Sequence, residues 1–171
     1  MMSAEKLIEF FGMKPLPAEG GFYVETYRSK EKISAAALPA RYSGERHFGT
    51  AILYLLTTDT FSRLHKLRSD ETFHFYLGDP VTMLQLRPDR TGRIITLGQD
   101  ILNGHRIQAT VPQGTWQGCM LSESGKFALM GTTIAPGFEF ADFEAGEQEK
   151  LLIQYPEQKD LIIRLTREEQ Q

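Results

Sequence analysis

The sequence has one cysteine, one tryptophan and no cluster of basic residues. A single cysteine, Cys119, cannot form a disulfide within the chain, which is compatible with a reducing compartment. With 19 Lys and Arg against 22 Asp and Glu, the formal net charge is −3, so we expect no nucleic-acid partner. No apolar run approaches the roughly 20 residues that span a bilayer, and the N-terminus does not resemble a signal peptide. We expect a soluble, cytoplasmic protein without a membrane partner.

Short apolar runs separated by turn signals are what the sequence does contain. Alternation and turn residues predict strands over residues 22–28, 47–56, 61–67, 71–77, 81–87, 93–97, 107–111, 115–121 and 127–134. Helices are predicted only at the ends of the chain, over 3–12, 147–155 and 159–165. Many short strands without interleaved helices favour a closed or double-sheet antiparallel β fold. We expect one domain, 1–171, with a barrel over about 20–145 and a helical cap over about 146–166.

Three hairpins and one buried strand follow from the same pattern. A polar turn at 68–70 predicts that the strands on either side of it pair with each other. A turn at 89–92 predicts a hairpin of 81–87 with 93–97, and 107–121 predicts a third hairpin. Strict alternation places Arg63 and His65 on one face of their strand. The segment 51–56 is apolar on both faces, as expected in a sandwich or under a subunit interface. Together with the aromatic strand 22–28, this favours a homodimer.

The polar residues of segment 61–78 have a distinctive spacing. It resembles the first conserved motif of the cupin superfamily, which runs Gly, five residues, His-x-His, three or four residues, Glu, six residues, Gly. His65, Glu71 and Gly78 stand at the first His, the Glu and the closing Gly. Leu67 stands where the second His belongs, and Asp59 where the opening Gly belongs.

A second segment, at 106–121, resembles the second cupin motif, which ends in Pro-x-Gly, two residues, His, three residues, Asn. Pro112 and Gly114 match, whereas Gln117 replaces the His, Leu121 the Asn and Arg106 the opening Gly. The order of the two motifs, with a plausible barrel between them, implies the cupin fold. That fold is an antiparallel jelly roll, also called a double-stranded β-helix.

The resemblance narrows to one small subfamily of cupins, cupin five, which is classified as a domain of unknown function. It rests on Ser-Arg-Leu-His, Ser-Asp-Glu and His-Phe-Tyr-Leu-Gly-Asp-Pro within 62–80, and on segments 19–23, 112–118 and 135–143. It therefore covers nearly the whole chain. It implies a mainly β jelly-roll barrel with a short N-terminal helix and a helical C-terminal cap. The resemblance to dimeric cupins also implies that this chain forms a homodimer.

A divalent metal occupies the mouth of the barrel in typical cupins, and the resemblance implies that His65, Glu71 and Gln117 are its ligands if a metal is bound. Imidazole and carboxylate are two good ligands, but an amide oxygen is a weak one and Leu67 offers none. His74 could join them only if a bulge shifted its strand, because alternation places it opposite Glu71. We expect either no metal or a weakly held divalent metal.

Without a metal, His65 and Glu71 form an acid/base pair that can move a proton near neutral pH. The metal-free deoxysugar epimerases of the wider superfamily resemble this arrangement, because a His there removes a proton next to a carbonyl and a Tyr returns one. Tyr23, Tyr54 and Tyr76 are candidate acids, and the sequence does not choose among them.

The leading hypothesis is a protein that binds a small sugar-like or nucleotide-like molecule in the barrel mouth. His65 and Glu71 are its predicted catalytic pair, with isomerase or epimerase chemistry. Further side chains are predicted to contact the ligand: Arg63, His74, Trp116 and Gln117. A metal-dependent enzyme such as an oxygenase is one alternative, and a non-catalytic binding or sensing module is another.

Overall fold

A computed structural model describes residues 2–167 and places thirteen strands and three α-helices within them. The strands are β1 Lys14–Pro15, β2 Phe22–Arg28, β3 Lys32–Ile33, β4 Arg46–His47, β5 Thr50–Thr57, β6 Phe61–Lys66, β7 Asp70–Gly78, β8 Val81–Leu86, β9 Gly92–Leu97, β10 Gln108–Val111, β11 Trp116–Leu121, β12 Phe127–Ala135 and β13 Glu144–Ala145. The helices are α1 Ala4–Phe11, α2 Gln148–Gln154 and α3 Lys159–Thr166.

The strands form two antiparallel sheets that face each other. The first sheet has the order β1-β2-β5-β12-β7-β10, the second has the order β13-β6-β11-β8-β9, and β3 and β4 form a separate pair. One core cluster joins the two sheets, with Phe73 and Met130 from the first and Met83 and Leu97 from the second. This is the predicted double-sheet antiparallel barrel.

Helix α1 begins and ends where the sequence predicts. The Ser3 hydroxyl accepts a hydrogen bond from the Lys6 amide at 3.5 Å, and Gly12 ends the helix with a left-handed φ of 62°. Leu7 packs with Leu55 and Leu129 on the outer face of the first sheet. The chain's own helix therefore covers the apolar outer face of β5, which the sequence predicted to lie in a sandwich or under a subunit interface.

Helices α2 and α3 cover the outer face of the second sheet, as the predicted cap. Leu151 and Ile162 pack against Phe61, Leu64 and other residues of that sheet, and both helical side chains are at most 1% exposed. Burial of this kind contributes more to a short helix than its intrinsic propensity does. Among the described residues, 2–167, no helix is long and apolar enough to cross a membrane.

One predicted hairpin is confirmed, because β8 pairs with β9. The other two predicted hairpins are wrong, although their strands are present. Strand β6 pairs with β11 and β13, whereas β7 pairs with β10 and β12 in the other sheet. Strand β10 pairs with β7, and β11 with β6 and β8. The turns at 67–69 and 112–115 therefore carry the chain from one sheet to the other. Alternation and turn residues indicate where a strand begins and ends, but closure of the barrel decides its partner.

The alternation of β6 is interrupted by one extra residue. Gln117 pairs with His65 and Cys119 pairs with Ser62, so two steps along β11 match three steps along β6. Ser62 and His65 consequently both face the barrel interior. The prediction that Arg63 shares the face of His65 rested on unbroken alternation, and it is wrong for that reason.

Candidate functional site

Three strands bring His65, Glu71 and Gln117 together inside the barrel. His65 on β6 lies directly opposite Gln117 on β11, and Glu71 projects from β7 in the facing sheet. The Gln117 amide nitrogen donates a hydrogen bond to a Glu71 carboxylate oxygen and lies 3.4 Å from Nε2 of His65. All three side chains are buried. The sequence motifs therefore predicted a real cluster, and Gln117 is its central member.

The orientation of His65 follows from two contacts. Nδ1 lies 2.7 Å from the carbonyl oxygen of Arg63, which can only accept, so we assign the proton to Nδ1 and leave a lone pair on Nε2. The ring stacks on Phe143, with centroids 5.0 Å apart and planes 20° apart. Burial lowers the pKa of His65 below its usual value, although Glu71 and the Arg63 carbonyl act in the opposite direction. His65 is therefore a neutral acceptor near pH 7.

Glu19 is a member of the site that the sequence motifs did not predict. It lies in the Pro- and Gly-rich connector before β2, and its Oε2 is 3.9 Å from Nε2 of His65. Its Oε1 accepts a hydrogen bond from Ser62 at 2.9 Å, and its carbonyl accepts one from the Arg63 amide at 2.8 Å. The cupin motif spacing does not include residue 19, so it could not connect Glu19 with His65. The resemblance of segment 19–23 to the cupin subfamily was the one signal in the sequence for this segment.

Glu19 and Glu71 both have pKa values far above those of ordinary carboxyl groups. Burial raises the pKa of Glu19 to about 7, although hydrogen bonds from Ser62 and Tyr54 oppose the rise. Burial, followed by the charge of Glu19, raises the pKa of Glu71 to about 7, while His65 and two hydrogen bonds oppose it. Near neutral pH, the pair can both accept and release a proton.

The candidate acids Tyr23, Tyr54 and Tyr76 lie in three different places. The Tyr54 hydroxyl is buried and donates to the carbonyl of Gly20 at 2.8 Å, and burial raises the pKa of this phenol well above its usual value. Tyr76 is 45% exposed, on the outer face of the first sheet. Tyr23 lines the cavity beside the carboxyl pair and is the tyrosine that can contact a ligand.

A cavity of about 290 Å³ gives access to the carboxyl pair. Its walls are mainly apolar, and Leu67, which stands at the second histidine position of the cupin motif, is part of them. Glu19 and Glu71 both line it, and Arg28 lies at the same cavity. Arg28 forms ion pairs with Glu25 at 2.8 Å and with Glu139 at 3.0 Å. The cavity therefore combines apolar walls with an acidic polar region.

None of the four predicted ligand contacts lines this cavity within the described part of the chain: Arg63, His74, Trp116 and Gln117. His74 lies on the outer face of β7, as alternation predicts, with Nε2 at 2.6 Å from the Thr133 hydroxyl. Trp116 packs with the cap helices, and Nζ of Lys66 lies 4.4 Å from its ring centroid. Trp116 must face outward because the next residue, Gln117, faces inward.

The side chains present do not fit the metal centre of a typical cupin. Within residues 2–167, no three His, Cys, Asp or Glu side chains are grouped so that they could hold a metal ion. Leu67 supplies no ligand atom. Gln117 directs its amide nitrogen, which is a donor, toward both Glu71 and His65.

The two-sheet barrel, with His65, Glu71 and Gln117 facing inward, defines a cupin-type protein. The family model described as Cupin superfamily (DUF985) matches residues 5–146, and the chain therefore belongs to this family. An uncharacterized protein of Saccharomyces cerevisiae, YML079W, is 30% identical in an alignment of 142 residues that covers 77% of this chain and 70% of the yeast protein. The resemblance read from the sequence motifs is confirmed.

Solved structures agree with this assignment. Protein SO0799 from Shewanella oneidensis has a TM-score of 0.84 and 35% identity, covering 98% of this chain and 99% of that one. A hypothetical protein from Leishmania major has a TM-score of 0.86 and 30% identity, covering 98% and 100%. Oxalate decarboxylase from Bacillus subtilis has a TM-score of 0.52 at 14% identity, covering 93% of this chain and 39% of that one. That last likeness concerns the fold alone.

Proposed function

We propose that the barrel binds a small polar molecule and transfers a proton on it, as an isomerase or epimerase does. The observation that carries this proposal is the position of Glu19 and Glu71, which line one cavity with their pKa values raised to about 7. A general acid or base works best when its pKa lies near the working pH. Two such groups beside one cavity supply a base and an acid for the same ligand.

The reaction begins with a C–H bond next to a carbonyl group. Glu71, as a carboxylate, takes the proton, and the electron pair of that bond enters an enolate. Glu19, as a carboxylic acid, returns a proton to the carbon. After these two steps Glu71 holds the proton and Glu19 is a carboxylate. His65 does not line the cavity, but its Nε2 is 3.9 Å from Glu19 Oε2, and a proton passed from Glu71 through His65 to Glu19 restores the starting state. Gln117 keeps Glu71 in place.

A sugar-like ligand suits the cavity better than a nucleotide-like one. Three carboxyl groups and one guanidinium line the cavity, those of Glu19, Glu25, Glu71 and Arg28. A phosphate would face repulsion from the carboxylates, and Arg28 is already paired with two of its own partners. Hydroxyl groups can donate to carboxylates without that penalty.

Proton exchange in D₂O tests the chemistry directly. NMR would follow deuterium incorporation next to the carbonyl of D-fructose, D-glucose and L-rhamnose, with wild type, Glu71→Gln, His65→Ala and Glu147→Gln. We expect incorporation with wild type and with the exposed control Glu147→Gln, and a loss of about 10²- to 10⁴-fold with Glu71→Gln. His65→Ala should also lower it while the fold is retained. Incorporation that Glu71→Gln leaves unchanged would contradict the proposal.

A non-catalytic binding or sensing module is the second candidate. It is favoured by the burial of His65, which is 1% exposed and leaves only the carboxyl groups in reach of a ligand. Stabilisation of the protein by a compound that is recovered unchanged and unlabelled would support it. The metal-dependent alternative has no comparable support, because the donor set lacks a third strong ligand.

We also propose a homodimer and a cytoplasmic location, which the sequence predicts. Because α1 covers the outer face of β5, support for the dimer comes from exposed aromatic side chains near β2, with Tyr27 55% and Phe48 49% exposed. Light scattering coupled to gel filtration distinguishes one copy from two. A monomer at micromolar concentration would contradict the dimer.

A further inference from the structure

Hydrogen-bond acceptors dominate the buried polar groups next to the two carboxyl groups that line the cavity. Nε2 of His65 receives only a long hydrogen bond of 3.4 Å, from the Gln117 amide, and Oε2 of Glu19 lies 3.9 Å from the same Nε2. The side-chain oxygen of Gln117 is buried without a hydrogen-bond partner among the described residues. Buried acceptors without donors are rare in native proteins, and each calls for a partner.

The charges around the cavity also favour a ligand that donates hydrogen bonds. Glu19, Glu25 and Glu71 line it against the single guanidinium of Arg28, and Glu139 engages that guanidinium as well. Tyr54 and Cys119 are buried in the same core, and burial raises the pKa of both, so both stay neutral and add no charge. The cavity therefore attracts cations and repels anions.

We propose that the ligand of this cavity carries a protonated amine, which binds between Glu19 and Glu71. The proposal rests on the small-molecule site proposed above and specifies its ligand class. Both carboxyl groups line the cavity, so one ammonium group in it can donate hydrogen bonds to Glu19 and to Glu71. An ammonium group has three donors and no acceptor, whereas a hydroxyl has one donor, and a carboxylate or phosphate has none.

The rest of the ligand is a compact and partly apolar body. The cavity of about 290 Å³ has Tyr23, Ile52 and Phe138 among its apolar lining residues, and a ring or short carbon skeleton would pack against them. An amino sugar or a small cyclic amine meets both requirements. A free amino acid does not, because its carboxylate would enter the same acidic cavity.

Two matched series of probes test this ligand class, and each keeps the skeleton and changes the charge. The first is D-glucosamine, D-glucose and D-glucuronate, and the second is benzylamine, benzyl alcohol and benzoate. Thermal shift followed by calorimetric titration at pH 7.5 gives the dissociation constants. We expect the amine of at least one series to bind ten-fold or more tightly than its neutral and anionic analogues, because charge-assisted hydrogen bonds are the stronger ones.

Variants locate the binding site. Glu19→Gln and Glu71→Gln should each weaken amine binding about ten-fold or more, whereas Glu147→Gln, on an exposed side chain that is 67% accessible, should leave it unchanged. Circular dichroism confirms that each variant is folded. If one of the two variants does not fold, the other still tests the site. The two probe series test the preference for an amine in the wild-type protein and do not depend on any variant.

The outcomes separate this inference from the proposed function. Equal or tighter binding of a neutral sugar, sensitive to Glu71→Gln, would overturn the amine while leaving the small-molecule site intact. Amine binding that neither carboxyl variant weakens would overturn the inference as well. No binding by any member of either series would count against both proposals.

Discussion

Gln117 lies opposite His65 in the β6–β11 pair and donates its amide to Glu71 on the facing sheet. One side chain thus links the two sheets at the point where a typical cupin motif has a metal-binding histidine. The amide nitrogen is a donor, so it stabilises the carboxylate form of Glu71 and fills the position of a ligand. The departures from the cupin motif at residues 67 and 117 therefore replace two expected histidine ligands with an apolar side chain and a hydrogen-bond donor.

Restoring the two motif histidines should create a metal site. The double variant Leu67→His/Gln117→His supplies two imidazoles beside His65 and Glu71, which gives three nitrogens and a carboxylate. We expect near-stoichiometric Mn²⁺, Fe²⁺ or Zn²⁺ after loading and dialysis, measured by elemental analysis. Wild type and each single variant serve as controls and should retain clearly less metal. Equal metal content in all four proteins would contradict the prediction.

The free energy of unfolding should fall as the pH rises from about 5 to 7. The pKa values of Glu19 and Glu71 rise from 4.5 to about 7 on folding, so their contribution is complete below pH 4.5 and is lost as the pH rises through 7. His65 acts oppositely, because its lowered pKa makes stability fall as the pH drops below 6.5. Two carboxyls against one imidazole leave a net uptake of protons on folding, so the free energy of unfolding falls as the pH rises across this range.

Urea unfolding at several pH values between 5 and 8 measures this slope. Glu71→Gln removes one of the two carboxyls and should flatten the slope, whereas Glu147→Gln should preserve it. A slope that is identical in wild type and Glu71→Gln would show that Glu71 titrates in the same way in the folded and unfolded states.

Removing Asp142 should destabilise the protein far more than removing a surface carboxylate. Asp142 accepts two hydrogen bonds from Arg46, at 2.6 and 2.7 Å, and both side chains are at most 3% exposed. Asp142→Ala leaves a buried guanidinium without its partner, which costs about 3–5 kcal/mol. Glu45→Ala breaks only the exposed pair with Lys32 and should leave the free energy of unfolding almost unchanged. Chemical denaturation measures both, and equal losses would contradict the expectation.

Gly118→Ala should disturb the site through the backbone of β6. A Cβ at this position would lie 2.9 Å from the Ser62 carbonyl oxygen and 3.1 Å from the Leu64 amide nitrogen, and backbone atoms cannot easily move away. We expect a loss of about 1–3 kcal/mol in stability and an altered pH dependence of proton exchange, because His65 follows Leu64. Gly12→Ala is the control, because Gly12 is a helix C-cap where an added Cβ would have no atom within 4 Å. It separates the effect of backbone strain from the effect of the Cβ contact with β6.

The sequence by itself determined the local elements of this protein and its family. Alternation and caps sufficed for strands such as β2 and for helix α1, because these features depend on residues close to one another in the chain. The cupin spacing also identified His65, Glu71 and Gln117 as inward-facing, since those positions follow from a motif shared by the whole fold. The pairing of β6 and β7, by contrast, was predicted wrongly.

Only the tertiary structure decided what depends on distant parts of the chain. Barrel closure sent β6 and β7 to different sheets, and the extra residue in β6 turned Ser62 inward beside Glu19. Glu19 reaches His65 across 46 positions of sequence through a connector whose composition predicts only a loop. The raised pKa values of both carboxyl groups follow from burial, which sequence spacing does not specify. The acidic character of the cavity is therefore a property of the fold.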